Sequence, residues 1–287
     1  MGNFEIITDS GSDLPLQMQQ KLNITMARLT LNFRGQERQD SVDEGMKELY
    51  AALRSGELAK TSAVNPDGWR VAMEPVLQQG KDILVLAFSS GLSATYQSAV
   101  IAKEELLEKY PERKIQVVDT RAASLGQGLL VWYACKKRDE GQTLEQVAQW
   151  AEENKLHLCH WFTVDDLMYL KRGGRISAAT AIVGTMLGIK PVLHMDDEGH
   201  LISMSKARGR KASIAALADK MGQLGLPGEN QTVFICHGDC LEDARYLEKL
   251  VREKYGVEEV VIGFTGAVIG SHSGPGTLAL FFLGQHR

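Results

Sequence analysis

Phe88-Ser89-Ser90-Gly91-Leu92-Ser93-Ala94-Thr95-Tyr96 is a hydroxyl-rich turn between two apolar patterns. Each serine or threonine hydroxyl can donate one hydrogen bond. Gly91 allows a tight turn, and Ser93 is placed to cap the helix that follows. A helix start at the carboxyl end of a parallel strand adds free N–H groups and a positive dipole end, so the stretch suits an anion. An ordinary serine-capped strand–helix turn would carry the same residues. The second unusual stretch is Gly270-Ser271-His272-Ser273-Gly274-Pro275-Gly276, which reads as a fixed loop presenting an imidazole. It is not a nucleophile elbow, because His272 stands where G-x-S-x-G has its serine. A plain turn before a last strand is the alternative.

Two basic loops follow a different logic. Lys171-Arg172-Gly173-Gly174-Arg175 and Lys206-Ala207-Arg208-Gly209-Arg210-Lys211 interleave cations with glycine. Charge runs are usually solvated faces, but glycine beside arginine permits close approach to phosphate or a partner protein. Cys236-His237-Gly238-Asp239-Cys240 has zinc-binding residue types without a second cluster at the usual spacing, so a strand end and turn is the better reading. No stretch matches a phosphate-binding P-loop. Gly126-Gln127-Gly128 lacks the third glycine of a dinucleotide fingerprint.

The elements that must position these residues alternate. Phe4–Thr8 and the continuously apolar Asp82–Ala87 read as strands buried on both faces of a parallel sheet. Ile24–Phe33 reads as an extended stretch, with Arg34-Gly35-Gln36 as a turn, and Lys114–Asp119 as a further strand. Helices are predicted after Pro15, over Val42–Leu53, from Asn65-Pro66, after Ser93, over about 124–138, and from the capping box Thr143-Leu144-Glu145-Gln146. This alternation predicts helices on both faces of a parallel sheet. Its functional loops belong at the strand carboxyl ends: Asp9–Ser12, Thr61–Ser62, Ser89–Ser93 and Asp119–Ser124.

From about Leu156 the pattern changes. Strands are predicted over Leu156–Val164, Thr232–His237, Glu259–Phe264 and Leu278–Leu283, with a hairpin over Lys190–His194 and His200–Lys206. Helices are predicted over Asp165–Lys171, from Ser177 to Leu187, Ala212–Leu224 and Leu241–Tyr255, and Gly266–Gly276 is read as a glycine-rich loop. The expected organisation is an α/β chain of two domains. Residues 1–155 form a parallel-sheet α/β domain, and residues 156–287 form an α+β domain with a mixed or mainly antiparallel sheet.

Length and composition narrow the classes. A chain of 287 residues suits two cores. The 44% apolar share is globular, and no run approaches membrane-spanning length. A net charge of −4 argues against nucleic acid as the main partner. The first residues, Met1-Gly2-Asn3-Phe4-Glu5, lack a basic segment followed by an apolar one, so no secretory signal is expected. Four cysteines without a disulfide pattern suggest a reduced, cytoplasmic protein.

Taken together, Thr8-Asp9-Ser10, Lys60-Thr61-Ser62, Ser89-Ser90-Gly91-Leu92-Ser93-Ala94-Thr95-Tyr96, Lys171-Arg172-Gly173-Gly174-Arg175-Ile176-Ser177 and His272-Ser273-Gly274-Pro275-Gly276 resemble the DegV family of bacterial fatty-acid-binding proteins. Ala94 stands where that family commonly has glycine, and Ser273 where it commonly has threonine. The resemblance implies two α/β domains with a long-chain fatty acid between them, presented by some members to a separate kinase that makes an acyl phosphate. It places carboxylate ligands on Thr61, Ser93 and His272, with Ser62 and Gly91 beside them. It places the arginines used with the kinase within Arg172–Arg175 and on Arg208. A nearby carboxylate would favour the protonated imidazole of His272.

The expected function is therefore a fatty-acid carrier and kinase substrate subunit, with no catalytic residue, cofactor or metal of its own. The alternative is a lipid hydrolase or acyltransferase using Ser93 or Ser271 with His272. A third reading, a sensor or adaptor acting through the basic loops, predicts protein binding without lipid.

Overall fold

The computed structural model describes residues 4–43, 45–177, 188–226, 228–229 and 231–287. The helix predicted from Ser177 to Leu187 falls, beyond Ser177 itself, on residues outside this set.

The first half is built on a four-stranded parallel sheet in the order β2-β1-β6-β7. The strands are β1 (Phe4–Asp9), β2 (Thr25–Ala27), β6 (Asp82–Ala87) and β7 (Ile115–Asp119). Their apolar side chains alternate between two cores. Ile7, Ile83 and Val85 pack against α3 (Pro66–Gln78) and α4 (Thr95–Lys109) through Trp69, Met73 and Ala99. Ile6, Leu84 and Leu86 face α5 (Ser124–Asp139) and α6 (Leu144–Asn154). The proline start of α3, with Asn65 capping Gly68 N–H, and the capping box of α6 form as their residues predict.

A second, six-stranded mixed sheet has the order β10-β9-β8-β13-β11-β12. Its strands are β8 (Leu158–Thr163), β9 (Ile189–Met195), β10 (Leu201–Arg208), β11 (Thr232–His237), β12 (Glu259–Phe264) and β13 (Leu278–Leu283). Only β11 and β12 pair in parallel; β9 and β10 form the expected hairpin. One face packs on α8 (Arg210–Leu224) and α9 (Leu241–Tyr255) through Ile214, Leu217, Leu247 and Val251. The other face, with Phe162, Phe234 and Phe281, meets α5. Helix α5 thus lies between the two sheets, and its run from Ser124 to Val131 is buried all round.

Three expectations are corrected. Thr61 does not end a strand of the parallel sheet. It lies on β5 (Ala59–Ser62), which pairs antiparallel with β3 (Thr30–Phe33) in a separate sheet completed by β4 (Gln36–Gln39). The predicted loop 266–276 contains a helix, α10 (Ala267–Ser273). Its glycines serve close approach rather than disorder: a Cβ at Gly270 would overlap Tyr50 Oη, on helix α2 (Met46–Arg54). Third, α4 starts at Thr95 with Ala94 at its cap, because residues 89–93 form a turn in which Leu92 and Ser93 N–H donate to Ser89 O (both 3.1 Å).

Buried titratable groups pull stability in opposite directions. Burial raises the Asp9 carboxyl to about 7 and Asp40 to about 6, and holds Asp13 well above the ordinary value. The folded chain then keeps protons that the unfolded chain releases near pH 4. This stabilisation is complete below that pH and is lost as pH rises through 6 to 7. Burial lowers His194 and His272 to about 4 and His160 well below its usual value, so their contribution is lost as pH falls below about 6.5. The thermal midpoint should therefore be lower at pH 8 than at pH 6.5. A higher midpoint at pH 8 would contradict this balance of buried acids and imidazoles.

Candidate functional site

Where the carboxyl ends of the parallel strands approach the second sheet, the chain lines a partly open cavity, about 970 Å³ when the solvent at its mouth is included. The lining is largely apolar. Leu29, Phe88 and Leu92 come from the first half, and Phe162, Met195 and Phe281 from the second. On β8 and β13 the lining residues alternate with residues that pack on α8 and α9, as a strand's two-residue period requires.

Part of the lining is polar, with Ser124, His160 and Thr265 in it as well as the residues below. Thr61 Oγ1 and His272 Nε2 are 2.7 Å apart. Thr61 is half-buried because residues on β5 alternate between half-buried and exposed, and α10 carries His272 over that strand. Ser93 Oγ is 2.8 Å from Thr95 Oγ1, which accepts from Val64 N–H (3.3 Å), just past β5. Arg175 donates to Leu92 O (3.0 Å) and to Gly173 O. Gly173 in turn lies so close to His272 that a Cβ there would overlap its Nδ1. Thr61, Ser62, Ser93, Arg175 and His272 all line the cavity, with Ser62 at an exposed position of β5.

The other sequence-derived candidates lie elsewhere. Gly91 does not line the cavity. Its Cβ would fall 2.8 Å from the backbone oxygens of Glu198 and Gly199, so glycine is needed for the seating of the β9–β10 hairpin tip. Ser89 Oγ donates to Gly199 O at 2.9 Å across the same contact. Arg172 is exposed over the Tyr169 ring, and Arg208 is exposed at the end of β10. The sequence grouped Arg172 with Arg175; the structure separates them.

The chemistry available is that of anion binding. Burial, helped by the charge of Arg175, lowers the His272 imidazole to about 4, so it is neutral at pH 7 in the ligand-free chain. The expected imidazolium concerns the site with a carboxylate bound, where the anion would favour the protonated ring. In the tautomer protonated at Nε2 the imidazole donates to Thr61 Oγ1 and leaves the threonine hydrogen for an incoming oxygen; in the other tautomer Thr61 donates to Nε2. Neither serine of a possible hydrolase pairs with His272: Ser271 Oγ donates to Ala267 O (2.6 Å), and Ser93 contacts Thr95. The residues around Cys236 are also accounted for locally. Cys240 Sγ donates to Thr277 O, and no group of three or more metal-binding side chains occurs among the described residues. Nor, among them, is any helix long and apolar enough to cross a membrane.

The family model described as an uncharacterised protein of the DegV family matches residues 3–285. The chain belongs to the DegV family. A DegV domain-containing protein of Clostridium perfringens is 49% identical, covering 100% of this chain and 99% of its own. Among solved structures, a fatty-acid-binding DegV family protein from Thermus thermophilus is 32% identical with a TM-score of 0.87, over 98% of this chain and 99% of that one. A DegV family protein from Ruminococcus gnavus, solved with vaccenic acid, is 25% identical with a TM-score of 0.87, over 98% of this chain and 100% of that one. The α/β fold, with one parallel and one mixed sheet, is the one these DegV structures share.

The apolar lining of the DegV cavity was missed in the sequence. Phe162, Ala279 and Phe281 sit on strands buried along their whole length, a pattern that a filled core also gives. The one available signal was the density of aromatic residues on strands facing a glycine- and serine-rich rim.

Proposed function

We propose that the protein binds one long-chain fatty acid in this cavity and presents its carboxylate to a separate kinase for acyl-phosphate formation. The observation that carries the reading is a largely apolar cavity whose lining includes Thr61, Ser62, Ser93, Arg175 and His272. Burying about sixteen carbons is worth on the order of 12 kcal/mol gross, at roughly 0.8 kcal/mol per methylene. Each charge-assisted hydrogen bond to the carboxylate adds roughly 1.5–3 kcal/mol, and ordering and desolvation offset much of the sum. The tail supplies affinity and the polar part of the lining supplies orientation. In this reading residues 1–155 and 156–287 are the two units that hold the ligand between them, and the protein works in the reducing cytoplasm without a cofactor.

The exposed positions of Arg172 and Arg208 suit contacts with the kinase or with phosphate oxygens, and the half-buried Arg175 suits the head group. Ser93→Ala should weaken fatty-acid binding by about 1–3 kcal/mol, the loss of one hydrogen bond. It should slow kinase-dependent phosphorylation more, since in-line transfer depends on where the carboxylate oxygens sit. Arg208→Ala should leave affinity within a few-fold and slow transfer. Calorimetric affinity and acyl-phosphate yield, measured side by side with the partner kinase, test both. Unchanged transfer in both variants, or lost lipid binding with normal transfer in Arg208→Ala, would refute the assignment. Turnover of an acyl ester by the protein alone would favour a hydrolase instead.

A further inference from the structure

Helix α10 is too short to support itself. It has seven residues, and its cap residue, Gly266, offers no side chain. A helix leaves its first N–H groups without internal partners, and buried ones need partners from elsewhere. Here they come from the first half of the chain. Ala267 N–H donates to Ser41 O at 3.0 Å, and Val268 N–H donates to Asp40 Oδ1 at 2.9 Å. Asp40 is 1% exposed, so this bond is shielded from water. A carboxylate at this end of a helix is favoured by the dipole, and its hydrogen bond is charge-assisted.

The seat is close-fitting. Gly266 lies so near Asp13 that a Cβ would overlap Asp13 Oδ1, and Gly270 is pressed on Tyr50. Tyr50 Oη donates to Thr265 O at 2.7 Å just before the helix. Val268 and His272 are four residues apart, one turn along the same face. The capped end and the imidazole therefore move as a unit.

We infer that Asp40 is a positioning residue for the head-group site: it caps α10 from the other half of the chain and so holds His272 on Thr61. Nothing in the sequence near Asp40 marks it, and it does not line the cavity. Charges facing it are Asp9 and Asp13, which oppose its ionised form, and Arg28, which favours it. The site's purpose rests on the fatty-acid reading, whereas the anchoring can be measured without ligand.

The experiment is imidazole titration and amide exchange by NMR on ligand-free protein, in wild type, Asp40→Ala and Asp40→Asn. In Asp40→Ala, His272 should titrate well above its buried value of about 4, toward the ordinary 6.5. His160 and His194, whose hydrogen bonds go to Leu158 and His160 backbone, should titrate as in wild type. Asp40→Asn keeps an acceptor for Val268 but loses the charge. The Val268 amide should then exchange about tenfold faster, with the β6 amides unchanged. If Asp40→Ala does not fold, the exchange rates in Asp40→Asn decide. The inference is overturned by an unmoved His272 in folded Asp40→Ala, by all three imidazoles shifting together, or by unchanged Val268 exchange in Asp40→Asn. None of these readouts involves a lipid, so failure of the fatty-acid reading would leave them as they are.

Discussion

Replacing Ala279 with Trp is expected to weaken long-chain fatty-acid binding by at least about a hundredfold. Ala279 lies on β13, opposite Phe162 of β8, and its small side chain leaves space in the cavity wall. An indole there occupies volume that the acyl chain needs. Excluding only four methylenes removes about 3 kcal/mol, at roughly 0.8 kcal/mol each, which is more than a hundredfold in affinity. The cavity gives the ring room, so the overpacking cost should stay within the usual 1–3 kcal/mol and the chain should still fold. Calorimetry with a sixteen-carbon acid, alongside a thermal melt, measures both quantities. A folded variant that binds the acid as the wild type does would place the ligand elsewhere.

Gly126→Ala should destabilise the protein by about 1–3 kcal/mol. Propensity alone predicts the opposite sign, since alanine is better than glycine inside a helix by about 1 kcal/mol. Packing decides. A Cβ at Gly126 would overlap His160 Nε2 and lie 2.8 Å from Phe281 Cδ1, where α5 is closed between the two sheets. Both rings are buried and border the cavity, so any retreat is into the space proposed for the acyl chain. Overpacking of this kind forces shifts in backbone and side chains. Urea denaturation of the two proteins gives the difference, and equal or greater stability in the variant would show that α5 is less tightly held than described. The same contact explains why Gly126 and Gly128 resemble part of a dinucleotide motif. Both glycines admit neighbouring groups, His160 in one case and Ser12 O in the other.

The parallel sheet was legible because Asp82–Ala87 is apolar on both faces and flanking helices carry their own caps. The hairpin over 189–208 was legible from its acidic glycine turn. Membership of β5 in another sheet was not, because Ala59–Ser62 takes its identity from pairing with residues about 30 positions away. Strand β4, Gln36–Gln39, is exposed throughout and carries no apolar period at all. Helix α10 was hidden by its glycines, whose purpose appears only when Tyr50 and Asp13 are placed against them. The residues proposed for the head group could be named by resemblance, yet their roles could not be divided. Half-burial singles out Arg175 from Arg172, and that is a property of the packed loop rather than of the residue type.

A fatty acid in the cavity would be seen by organic extraction of the purified protein followed by mass spectrometry. The expected result is a straight-chain fatty acid at about one per chain, or uptake of added fatty acid to that ratio if the protein is purified empty. Recovery of a nucleotide or sugar phosphate, or no lipid together with no uptake, would contradict it.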